Sequence, residues 1–172
     1  MIINIDTREQ KLLDFKYDYV SKIVRKKLNV GDYSACFEDG YEVPVYFERK
    51  SIPDAHGTMS GGYKRFKREL MRAKDTNVKL LLIIEGSLTK LLKGPSHATK
   101  KVIRNGKEKW IPLTIKEKAK RGRATHKTIL TLRFKYGLEH VYCQNREDMS
   151  RYIYEYYCKI GELRSKGIEV TL

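Results

Sequence analysis

One segment restricts the fold more than any other: VKLLLIIEG at 78–86, an apolar run closed by Gly86. A strand with water on one side would alternate apolar and polar residues, so an unbroken run reads as a central strand covered on both faces. Helices must supply that cover, and segments with helical periodicity lie on either side of it. Gly62 to Lys74 sets Phe66, Leu70 and Ala73 at i, i+4 and i+7 among many bases. Thr125 to Tyr136 reads as a second helix and Arg146 to Leu163 as a last one, with Met149, Ile153, Tyr156, Tyr157 and Ile160 inward. A further helix is predicted from about Asp18 to Lys27, where Tyr19, Val20, Ile23 and Val24 share a face. Strands are expected at Met1–Ile5, which delivers Asp6 at its edge, and at Glu139–Cys143. Between about Leu28 and Arg49 an antiparallel hairpin is expected, turning at Glu38-Asp39-Gly40, with Pro44 marking an irregularity or a strand start. Alternating strands and helices give an α/β domain with a mixed sheet flanked by helices. At 172 residues and 41% hydrophobic content, one domain over 1–172 can bury its own core.

From about 92 to 123 the pattern breaks into a stretch rich in Lys, Arg, Gly and Pro. Within it, KVIRNGKEKWI puts Asn105 and Gly106 between two β-like runs, the signature of a type I′ hairpin. This is read as a basic β-hairpin insertion, either a flap for nucleic acid or a solvated surface hairpin. The whole chain carries a formal charge of +15, which favours a polyanionic partner through phosphate contacts and counterion release. DNA, RNA and anionic membrane all satisfy that term. The absence of a long apolar stretch, and of a basic region followed by an apolar run in MIINIDTREQ, argues against membrane spanning and secretion. An intracellular place, cytoplasm or nucleoid or nucleus, is therefore expected. Cys36, Cys143 and Cys158 are odd in number and widely spaced, and read as reduced thiols without disulfide or zinc.

The residues that carry chemistry are Gly31-Asp32, Glu48-Arg49-Lys50 and Asp54. Side chains alternate along a strand, so Glu48 and Lys50 leave one face while Arg49 leaves the other, and a hairpin can bring Asp32 beside them. Half-buried charges are costly unless paired or metal-bound. Oxygen ligands suit Mg²⁺ or Mn²⁺, which activate water and offset charge on a phosphate. Lys50 could orient the attacking water or, with a depressed pKa, help deprotonate it. A bare D…ExK match is weak, since a chain with a third of its residues charged produces such triplets by accident.

The longer string LNVGDYSA…VYFERKSIPD resembles the XPF family of structure-specific endonucleases, whose ERCC4-type nuclease domain carries the signature GDxnERKxxxD. IDTREQ resembles that family's first strand, GGYKRFKRELMRA its Arg-aromatic helix start at Arg65-Phe66, and LLLIIEG the strand that follows. THKTILTLRFKYGLEHVYCQNREDMSRYI is similar to its last helix, strand and helix, so the likeness spans nearly the whole chain outside the insertion.

The resemblance implies a restriction-endonuclease-like core and cleavage of branched, flapped or forked DNA, with roles in repair and recombination. It places Asp32, Glu48 and Asp54 on the acidic active-site positions, Lys50 on the catalytic lysine, and Arg49 on the arginine of the motif. Asp6 matches the first-strand aspartate near the metal site, giving Asp32, Glu48, Asp6 and Asp54 as metal candidates; Arg8 and Glu9 match its neighbouring pair. DNA backbone contacts are expected from Arg8, Lys64, Arg65, Lys67 and Arg68. Lys100, Lys101, Arg104, Arg121 and Arg123 of the insertion are expected to add to them. The family is typically dimeric, which spacing alone does not establish; the clustered Tyr152, Tyr154, Tyr156 and Tyr157 suit core or dimer interface. His56 beside the site reads as incidental. Family members also carry a module that selects branched DNA, and no such module is recognisable in these 172 residues. The competing readings are a catalytically silent DNA-binding partner, a restriction-like or resolvase-like nuclease, and an RNA-binding basic protein.

Overall fold

A computed structural model of the chain describes residues 1–105 and 107–169. Its centre is a mixed six-stranded sheet. The strands are β1 (Ile2–Asp6), β2 (Lys22–Lys26), β3 (Tyr33–Cys36) and β4 (Val45–Ser51), then β5 (Lys79–Glu85) and, late in the chain, β8 (Glu139–Cys143), in the order β2-β1-β3-β4-β5-β8. The hairpin pairs β3 with β4 antiparallel, and β4, β5 and β8 run parallel. The apolar run is β5, flanked by strands on both sides and covered on both faces, as its sequence requires.

Alternation divides the core in two. Ile3, Ile5, Tyr33, Ala35, Phe47, Leu81 and Ile83 face the last helix, α5 (Arg146–Ser165). Tyr157 of that helix is fully buried and donates to Val45 O at 2.9 Å, while Tyr152, Tyr154 and Tyr156 pack around the same core. These tyrosines therefore serve packing. Leu80, Leu82 and Ile84 face the other layer, made by α1 (Ile52–Met59), α2 (Tyr63–Asp75) and α4 (Ile115–Tyr136). All three cysteines are free thiols.

Three expectations are corrected. Lys22–Lys26 is not helical; KIVRK is an edge strand parallel to β1, and its exposed outer side lets polar residues interrupt the apolar pattern in a way that imitates helical spacing. Two short helices were not foreseen, α1 and α3 (Leu88–Lys93), because each has a single-turn apolar signal and α1 contains Pro53 and Gly57. Finally, the insertion is shorter than 92–123. Its hairpin, β6 (Thr99–Arg104) and β7 (Lys107–Pro112), gives way at Thr114 to a capping box with Glu117 that starts α4 ten residues before the expected Thr125. Gly106 lies outside the described residues; Asn105 beside it has the positive φ, 52°, that such a turn needs.

Gly122 explains why glycine sits inside α4. A Cβ there would stand 2.4 Å from Leu92 O and 2.6 Å from Leu91 O, where α4 crosses the end of α3. On an exposed helix Gly→Ala stabilises by about 1 kcal/mol. Here the sign reverses: Gly122→Ala is expected to destabilise by about 1–3 kcal/mol through overpacking, read as a lower denaturant midpoint with unchanged slope. A raised midpoint would show that the two helices do not meet there.

Candidate active site

The site begins where the β3–β4 ladder ends. Gly31, at φ +68°, turns the chain with its α-carbon so close to Phe47 O that a Cβ would stand 3.0 Å away. Asp32 N–H then donates to Phe47 O at 2.7 Å, and its Oδ2 accepts from Arg49 N–H at 2.8 Å. The Asp32 side chain thus replaces the next rung of the ladder, which fixes it beside β4. Glu48 and Lys50 share that sheet face and bond to each other, Lys50 donating to Glu48 Oε1. Arg49 points the other way, buried between Glu85, to which it donates, and Glu9, 3.9 Å distant. The motif arginine therefore ties β4 to β5 and to the loop after β1.

An open cleft of about 550 Å³ lies over this face, lined by Asp32, Lys50, Asp54, Arg8, Glu9 and Arg65 among others. Glu48, 5% exposed, sits behind Lys50. Burial pushes the Glu48 carboxyl up to about 8, with Asp32 adding to the rise and Lys50 opposing it. Burial likewise pushes Asp32 up to about 6 against the pull of Lys50 and the Arg49 N–H. Burial works to lower Lys50, but Glu48, Asp32 and Glu69 outweigh it and its pKa is raised. Beside these carboxylates Lys50 is favoured as an ammonium, the form that orients a water rather than deprotonates it.

The four metal candidates are not drawn together equally. Among the described residues, no three His, Cys, Asp or Glu side chains form a ready-made metal cage. Asp32 and Glu48 are close enough to repel. Asp54 stands exposed at the rim in the first turn of α1, accepting from Ser51 Oγ at 2.6 Å. Asp6 is fully buried with both oxygens engaged: Oδ1 accepts from Arg8 N–H and Nε, and Oδ2 accepts from Arg8 Nη2 and Leu28 N–H, at 2.7 to 3.0 Å. Burial would raise that carboxyl, yet Arg8 and the backbone N–H groups hold it below its ordinary range. Asp6 is a brace for the loop that delivers Gly31-Asp32.

Of the basic residues, Arg8 and Arg65 reach the cleft. Lys64 and Arg68 are exposed on α2, and Lys67 lies 5.3 Å from the Tyr136 ring centre. In the hairpin, Lys100 pairs with Glu117 and Lys101 with Glu108; Arg121 and Arg123 are exposed on α4. The side chain of Arg104 lies outside the described residues. His56 is buried in α1 against Thr125, 2.7 Å away, and takes no part in the cleft.

Sequence reasoning missed Glu69. From α2 it accepts from Gly31 N–H at 3.2 Å, and its charge acts on Asp32, Glu48 and Lys50. The signal was present: Glu69 falls at i+3 from Phe66 and i−4 from Ala73, an acid on the inward face of an amphipathic helix.

Among known proteins, residues 5–156 match the family described as the ERCC4 domain. No curated protein sequence matches. Similar solved structures include two of one protein. "XPF from Aeropyrum pernix, complex with DNA" has a TM-score of 0.58 at 16% identity, covering 99% of this chain and 68% of that one. "XPF from Aeropyrum pernix" has a TM-score of 0.58 at 15% identity, covering 96% and 69%. At such identities the likeness is one of fold, and the fold is the expected restriction-endonuclease-like core.

Proposed function

This chain belongs to the ERCC4 domain family, and from that premise we propose that it is an endonuclease hydrolysing DNA phosphodiester bonds at branched, flapped or forked sites with Mg²⁺ or Mn²⁺. The observation that carries this reading is the meeting of Asp32, Glu48 and Lys50 on one sheet face at an open basic-rimmed cleft. Two carboxyls raised by burial and mutual repulsion weaken the fold when ionised, and a bound cation would relieve that cost. The similar structure in complex with DNA supports DNA as the ligand.

The donor set fits a hard cation. Among the described residues, Asp32 Oδ1 accepts no hydrogen bond and Glu48 accepts only from Lys50, so oxygens remain free for coordination. Asp32 and Glu48 would hold the metal, with Asp54 assisting from the rim, and oxygens without Cys or His select Mg²⁺ or Mn²⁺ over zinc. When bound, the ion supplies Lewis-acid stabilisation of the scissile phosphate and acidifies water. Lys50, fixed by Glu48, orients the attacking water and offsets charge on the phosphate. Arg49 holds β4 in register through Glu85 and Glu9, keeping Glu48 and Lys50 turned to the cleft. Arg65 and Arg8 at the cleft contact the DNA backbone without reading sequence.

End-labelled flap, fork, nicked, linear duplex and single-stranded DNA, incubated with Mg²⁺, Mn²⁺ or chelator, test this directly. Cutting of branched substrates is expected only with metal, and Lys50→Ala is expected to slow it by roughly a hundredfold or more. Tight binding without cutting under every condition would leave the silent DNA-binding partner as the better reading.

A further inference from the structure

We propose that the β6–β7 hairpin engages unpaired nucleotides, with Trp110 stacking on a base exposed at a single-strand/duplex junction. This rests on the reading of the chain as a DNA nuclease and names the element that would give it structural preference.

In the hairpin register Lys101 lies opposite Trp110 and Ile103 opposite Glu108. Cross-strand partners share a face, so Trp110 and Ile103 are diagonal neighbours on one side of the arm. Both are open to solvent: Ile103 is 74% exposed and Trp110 68%. The chain has a single tryptophan, and it stands on a solvated two-stranded arm beside a second exposed apolar side chain, Ile103. Such an arm has no core of its own, so folding gives no reason for an indole there.

The arm is anchored rather than loose. At its base Leu113 N–H donates to Ala98 O at 2.9 Å, Lys118 Nζ donates to Ser96 O at 2.6 Å, and Lys100 pairs with Glu117. The anchoring helices α3 and α4 pack on α1, the helix that carries Asp54 to the cleft. A ligand held by the arm is thus held by the same helical layer that lines the cleft.

Charge decides the occupant. The arm as a whole is basic: Lys101 shares the face of the indole, where it pairs with Glu108, Lys100, Lys107 and Lys109 leave the opposite face, and Glu108 is the lone acid of the two strands. Protein–protein patches are depleted in lysine, whereas single-stranded nucleic acid is held by cations along its backbone and aromatics under its bases. Any base offers a π face, so this contact selects unpaired structure without selecting sequence.

Because Trp110 is the sole indole, its fluorescence reports the contact in the unaltered protein. Titration with oligo-dT and with a flap substrate, chelator present, is expected to quench it in step with fluorescence anisotropy of labelled DNA. Trp110→Ala is expected to lower affinity for flap and single-stranded DNA about tenfold relative to blunt duplex, and Trp110→Phe to restore most of that preference. Binding by anisotropy with unchanged indole emission, or an unaltered flap-to-duplex ratio in Trp110→Ala, overturns the inference and leaves the nuclease reading standing. Emission that depends on protein concentration without DNA would assign the face to a second copy and overturn it equally. No DNA binding at all would remove both.

Discussion

Glu48→Gln is expected to abolish cleavage and, in metal-free protein near pH 8, to raise the unfolding midpoint. The first effect follows from coordination. Even groups that merely orient a metal's ligands are worth about 10- to 100-fold, so losing a charged ligand should cost roughly a hundredfold or more, with DNA affinity nearly unchanged. The second follows from the buried carboxyl. Its pKa rises on folding from an ordinary 4.5 to about 8. The folded state therefore prefers the protonated form, and the native protein is not penalised below the unfolded value. Stability then falls as pH climbs from about 4.5 to about 8, and the loss is complete above that. Glutamine cannot ionise and escapes this loss. At about 1.4 kcal/mol per unit the gain is of the order of a few kcal/mol, reduced because Lys50 loses its partner. Thermal unfolding with chelator, from about pH 5 to about pH 9, should show the mutant and wild type converging in acid and separating in base. A mutant that cuts at the wild-type rate would remove Glu48 from the site. One that is inactive and also less stable at high pH would make Glu48 structural.

How much of this was legible in the chain depended on whether the signal was local. β5 could be read because burial on both faces leaves no polar residue in LLLII, and α2 because Phe66, Leu70 and Ala73 repeat at helical spacing. The shared face of Glu48 and Lys50, with Arg49 opposite, follows from strand alternation alone. The first half of α4 was hidden because its bases and Gly122 resemble a loop until the α3 carbonyls beneath that glycine are known. β2 was hidden by its edge position. The partners of Asp6 and Arg49 could not be read either. They come from Leu28, Glu9 and Glu85, contacts across 22, 40 and 36 positions that only the assembled sheet defines. Asp6 in particular looked like one more carboxylate near the motif, and the hydrogen bonds that engage both its oxygens suit a brace better than a ligand.

That distinction predicts a different outcome for Asp6→Ala than for Glu48→Gln. The Asp6 carboxylate is the acceptor for the buried Leu28 N–H and for the Arg8 backbone and guanidinium. Arg8 is largely exposed and can turn to water, so its lost pairing costs little. Leu28 N–H cannot, and an orphaned buried donor costs about 1–3 kcal/mol. Loosening of the loop that carries Gly31 and Asp32 adds to this. In a chain of 172 residues the expected fall in melting temperature is about 5–10 °C at roughly 2–4 °C per kcal/mol. At a temperature where the variant stays folded, its cleavage should persist, and the Mg²⁺ concentration for half-maximal rate should stay within about twofold of wild type, well short of the 10- to 100-fold change expected when a metal's surroundings are altered. A variant of unchanged stability that needs about tenfold more Mg²⁺ would place Asp6 among the ligands after all, and the brace would have to be sought elsewhere in the turn from Arg8 to Leu28.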